Sequence, residues 1–122
     1  MAEPWPTELR LDKEGRVLTV SFDDGESFTL PAEFLRVLSP SAEVQGHSEE
    51  QRVTVFGKQH VRISRLEPVG NYAVRIKFDD LHDTGIFSWD YLYRLGIEHD
   101  KRWRDYLAAL AARGLSREPK RG

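Results

Sequence analysis

The sequence predicts an α+β domain: a twisted, mainly antiparallel sheet with short helices, the C-terminal helices packed on the sheet. Three observations carry that expectation. Apolar residues alternate with polar ones in successive runs between Leu9 and Phe78, broken by turns bearing glycine, proline and aspartate. After Ser88 the apolar spacing changes to three and four residues and stays so to Leu110. A length of 122 residues with 39% hydrophobic content suits one core, and therefore one domain.

Leu9 and Leu11 belong to a first strand. Asp12-Lys13-Glu14-Gly15 turns the chain into a second, where Leu18, Val20 and Phe22 share a face. Asp23-Asp24-Gly25 makes a hairpin turn in which the glycine supplies a positive φ, and Phe28 and Leu30 resume the alternation. Pro31 suits the first position of a short helix reaching Leu38, with Phe34, Leu35 and Leu38 inward. Ser39 to Arg52 is polar and aperiodic, a long loop. Val53 to Phe56 reads as a short strand, Gly57-Lys58 as a turn, and His60 to Leu66 as a strand with Val61 and Ile63 on one face. Pro68-Val69-Gly70-Asn71 turns into the strongest strand, lined on one face by Tyr72, Val74, Ile76 and Phe78. Ser88 caps a helix from Trp89 to Leu95, Asp90 complements its positive end, and Gly96 stops it. Asp100 caps a final helix carrying Trp103, Tyr106, Leu107 and Leu110. Trp89, Tyr91, Leu92 and Trp103 serve as core or rim anchors. Residues 1–112 form the domain, and 113–122 a flexible basic tail.

Composition excludes several functions. The chain has no cysteine, which removes disulfides, thiolate metal sites, iron–sulfur ligation and cysteine nucleophiles. The N-terminus MAEPWPTELR has neither a basic start nor an apolar run, and no segment is apolar enough to span a membrane, so a cytoplasmic protein is expected. Charge is lopsided: residues 1–30 carry three bases against seven acids, whereas residues 101–122 carry seven bases against two. Arg113, Arg117, Lys120 and Arg121 supply much of that basic end. It lacks an aromatic platform beyond Tyr106, so nucleic acid is not the expected partner.

The block Phe78 to Gly96, FDDLHDTGIFSWDYLYRLG, gathers acids, a histidine and large aromatics at a strand end and a helix start. With LPAEFLRVLSPSAEVQGH (Leu30 to His47) and EPVGNYAVRIKFDD (Glu67 to Asp80), it resembles the DUF971 family across roughly residues 7 to 110. These are small bacterial domains similar to the N-terminal domain of gamma-butyrobetaine hydroxylase. The resemblance implies a compact α+β domain found alone in bacteria. It is also found attached to 2-oxoglutarate-dependent oxygenases and, in plants, to Mrp-type iron–sulfur carrier ATPases. It implies no established activity for stand-alone members. In the hydroxylases the domain holds zinc through three cysteines and a histidine. Aligned on Phe34-Leu35-Arg36, the cysteine positions fall on Ser39, Ser41 and near Val44, and the histidine on His82. Serine hydroxyls are poor zinc ligands and valine is none. The resemblance therefore implies a zinc site dismantled in this chain, with His82 as its remnant.

No cofactor or metal is expected. Were a metal held, zinc or iron, its ligands would come from His82, His47, Glu43 and Asp80. The competing reading leaves His82 bonding its own loop and the aspartates capping backbone. His47-Ser48-Glu49 has the H-x-E spelling of a facial triad but lacks the barrel that triad needs. No serine has the G-x-S-x-G context, and neither a P-loop nor G-x-G-x-x-G occurs. The expectation is a non-catalytic accessory or interaction domain with an unidentified protein partner. Its candidate binding residues are Arg36, His47, Asp79, Asp80, His82, Asp83 and Trp89. The alternative is a metal-handling accessory, linked to iron–sulfur assembly and using histidine and carboxylate ligands.

Overall fold

A computed structural model describes residues 4–39, 55–80 and 85–118. The fold is α+β, as expected, but its strands form two three-stranded antiparallel sheets rather than one. The first comprises β1 (Pro6–Leu11), β2 (Val17–Phe22) and β3 (Ser27–Pro31) in that order, and leads into the six-residue helix α1 (Ala32–Val37). The second comprises β4 (Ile63–Val69), β5 (Ala73–Phe78) and β6 (Ile86–Ser88). Helices α2 (Trp89–Ile97) and α3 (His99–Ala112) follow.

The sheets meet at Gly15. Its carbonyl accepts the Ile63 amide at 2.6 Å, and the next carbonyl, of Arg16, accepts from Ala32 at 2.7 Å. Gly15 is buried with φ of 72°, and a Cβ there would strike the Ile63 carbonyl. Only glycine fits both demands. Asp12 fixes the turn by accepting from the amides of Arg16 (2.7 Å) and Val17 (3.0 Å). Between the sheets lies one main core, including Leu18, Val20, Phe22, Leu30, Phe34, Leu35, Ile76, Phe78, Phe87, Leu92 and Leu95. A second, smaller cluster joins Val37 and Val55 to Tyr106 and Leu110 of α3.

Several boundaries differ from the sequence expectation, each for a physical reason. Pro68 and Val69 extend β4 instead of turning, because β4 is an edge strand where a missing amide donor is tolerated. Tyr72 therefore falls in the turn and is 56% exposed, while Ala73 begins the strand. Val55 and Phe56 lie in no strand, and Val53 and Thr54 lie outside the described residues. Gly96 does not end α2, which runs to Ile97; a Cβ at Gly96 would enter the Phe28 ring, so the glycine lets the helix approach β3 closely. Ser88 does cap α2, accepting the Tyr91 amide at 3.1 Å. Asp100 lies in the first turn of α3 rather than at its cap.

Residues 113–118, grouped with the tail on composition, fold back on the domain. The carbonyls of Ser116 and Arg117 accept from the amides of Gly57 and Gln59, each at 2.9 Å. No helix among the described residues is long and apolar enough to cross a membrane.

Candidate functional site

Helix α1 is unusual in being buried along its whole length while carrying two charges. Glu33, Arg36 and Ser39 recur every three residues, and each is at most 6% exposed. Burying a charge is tolerable only when it is paired. Arg36 donates from Nε to Asp80 Oδ2 at 2.9 Å, and Lys58 Nζ reaches the same oxygen at 2.7 Å. Asp80, at the end of β5, thus ties α1 to the 57–61 segment. Glu33 is held from the other direction: Arg117 donates to it from Nε and Nη2, at 2.9 and 2.8 Å. The same guanidinium lies 5.2 Å from the Trp103 ring centre. Burial first, then the Glu33 charge, pushes the nearby Tyr106 hydroxyl up to about 12. That hydroxyl donates to the Val55 carbonyl at 2.9 Å.

Asp79, by contrast, is exposed and closes a backbone loop. Its Oδ1 accepts from the Arg62 amide, and its own amide donates to the Arg62 carbonyl, both at 2.9 Å. Asp79 and Asp80 border a small cleft of about 180 Å³ lined also by Gly57, Lys58, His60 and Val61. Among the described residues no three histidines or carboxylates come together to hold a metal. Glu43, His47, His82 and Asp83 lie outside the described residues. Ser39, where the resemblance places the first cysteine, is fully buried, and its Oγ has no hydrogen-bond partner among the described residues. On the alignment drawn from the resemblance, the three thiolate positions fall on Ser39, Ser41 and near Val44, the last two outside the described residues. That donor set does not fit zinc.

Trp89 does not join this ionic cluster. Strand β6 runs antiparallel to β5, with Ser88 opposite Ala73, so the chain returns Trp89 to the beginning of β5. Its amide donates to the Tyr72 carbonyl (3.2 Å) and its indole N–H to the Asn71 carbonyl (3.0 Å). Asp80 lies beyond the other end, roughly 20 Å away along six extended residues. The candidate binding residues close in sequence therefore fall at opposite ends of one strand.

At its own end Trp89 meets Trp5, edge to face, with ring centres 6.5 Å apart. Trp5 is 49% exposed and is stitched to the β2–β3 turn: its amide donates to Asp23 Oδ1 (3.1 Å), and its carbonyl accepts from the Asp23 amide (2.8 Å). Next to it, the Tyr93 hydroxyl donates to Asp24 Oδ2 at 2.6 Å. That hydrogen bond, helped by the Glu26 amide, holds the Asp24 carboxyl below its usual range, and it pushes the Tyr93 hydroxyl up to about 12. Sequence reasoning missed Trp5, Lys58 and the Glu33–Arg117 pair. Trp5 alone left a signal, as an indole between two prolines in a polar segment.

Residues 9–93 match the model of the gamma-butyrobetaine hydroxylase-like N-terminal family. The chain belongs to that family, DUF971. A protein solved in solution by NMR is 47% identical, with a TM-score of 0.83 over 99% of this chain and 95% of its own. Another NMR structure is 50% identical, with a TM-score of 0.81 over 96% and 87%. A DUF971 protein of unknown function from Acidithiobacillus ferrooxidans, solved by crystallography, is 39% identical, with a TM-score of 0.64 over 78% of this chain and 98% of its own. No curated protein matches the chain.

Proposed function

We propose that this DUF971 domain is a non-catalytic accessory module that works by binding another protein, and that the Trp5–Trp89 corner is its contact surface. The observation that supports this reading is the solvent exposure of large apolar side chains at one end of the second sheet. Trp5 is 49% and Tyr72 56% exposed. Tryptophan and tyrosine dominate the energetics of protein interfaces, and leaving them in water has no benefit to an isolated fold. The corner is also held rigid. Backbone bonds fix Trp5 to Asp23, and the indole N–H of Trp89 is anchored on Asn71. Rigid aromatic anchors bind with little entropy to lose.

The charged side chains of the other end favour a structural role. Arg36, Lys58 and Asp80 engage one another, and Asp79 closes a turn. The test is capture of partners on immobilised full-length protein, beside Trp5→Ala, followed by reconstitution with the purified partner. A reconstituted complex that weakens about tenfold in Trp5→Ala is expected. A partner that binds both forms equally removes the corner from the reading.

A further inference from the structure

The carboxylates around the corner point to the partner's chemistry, an inference that rests on reading the corner as a contact surface. Asp23, Asp24 and Glu26 are exposed in the β2–β3 turn, and Asp90 follows Trp89 in the first turn of α2. Arg94 answers Asp90 at 2.9 Å. Among the described residues no other base forms an ion pair with these four acids, so the corner is negative.

The molecule contains a template for what such a site takes. At Trp103 an indole and a carboxylate, that of Glu33, share one guanidinium: Arg117 lies over the ring and pairs with the acid. The Trp5–Trp89 corner presents two indoles, with the Asp23 carboxylate bonded to the Trp5 backbone. Among the described residues no cation lies over either ring. Indole faces attract guanidinium and ammonium groups, and a carboxylate beside them adds its own Coulombic attraction for the cation. We propose that the corner docks an arginine- or lysine-bearing segment of the partner protein, with its cation over an indole face and against Asp23.

The experiment is an NMR titration of the labelled full-length protein with a blocked hexa-arginine peptide, using hexa-citrulline and hexa-glutamate as further probes. The indole N–H resonances of Trp5 and Trp89 should shift saturably with hexa-arginine, while that of Trp103, already covered by Arg117, stays in place. Trp5→Ala and Asp23→Asn should each weaken the response about three- to tenfold. The carboxamide introduced by Asp23→Asn still accepts the Trp5 amide bond, so its effect reports charge rather than folding, and the rest of the spectrum verifies this. Unmoved Trp5 and Trp89 resonances, or an equal response to hexa-citrulline, would overturn the proposal. A response to hexa-glutamate instead would assign the corner to an acidic partner and overturn it too. If a purified partner still depends on Trp5 while the cationic probe fails, the contact surface stands and only its assigned chemistry falls.

Discussion

The two ends of β5 use polar and aromatic residues in opposite ways. At its C-terminal end, Arg36 is 2% exposed and Asp80 19%, and Lys58 completes their pairing. At its N-terminal end, Trp5 and Tyr72 each leave about half of their surface in water. Charges are found inside and large apolar rings outside, the reverse of ordinary partition. Each inversion has its own explanation. Buried charges that satisfy one another join chain segments far apart in sequence, so the ionic end is architecture. Exposed rings held in place contribute little to the fold, so the aromatic end is the one we propose for recognition.

The largest effect should come from Arg36→Ala, which empties a buried side-chain site and breaks the tie between α1 and Asp80, although Lys58 still neutralises the carboxylate. A loss of about 2–5 kcal/mol is expected in urea unfolding. A loss under about 1 kcal/mol would show that the ionic end is not architecture. Asp80→Asn keeps the shape and removes the charge, and should cost about 1–3 kcal/mol by the same measurement. Trp5→Ala should cost only about 1 kcal/mol, since it removes one edge-to-face contact and some partial burial. A cost equal to that of Arg36→Ala would break the comparison from the other side.

The smallest effect is alkaline. Tyr93 and Tyr106 both titrate at about 12 in the folded chain, above the ordinary 10. A hydroxyl whose folded value is raised stabilises the fold fully below pH 10 and ceases to do so as pH rises toward 12. Stability should therefore decline across that window. Tyr106→Phe should flatten the decline more than Tyr93→Phe, because burial is the chief cause at Tyr106 while Tyr93 is an open contact. Equal flattening would show that burial counts for nothing there.

The first sheet was legible because its signals are local. Alternation in β2 and the glycine turns at Gly15 and Gly25 each involve residues within a few positions of one another, and the Ser88 cap of α2 is equally local. The candidate site was legible only in part. Asp80 was singled out beside Arg36, and the two do meet, but Lys58 left no pattern, since a turn lysine has no periodicity. Glu33 finds Arg117 across 84 residues, a pairing only the folded chain reveals. Trp89 was grouped with Asp80 because they are neighbours in sequence. Strand β6, three residues long, is too short to show a period of two, and it carries Trp89 to the far end.

The most direct test is calorimetric titration of the purified partner into the full-length protein, Trp5→Ala and Lys58→Ala. The account predicts about a tenfold loss of affinity for Trp5→Ala, with Lys58→Ala within about twofold of the unaltered chain. A loss on Lys58→Ala with none on Trp5→Ala would place recognition at the ionic end and contradict it.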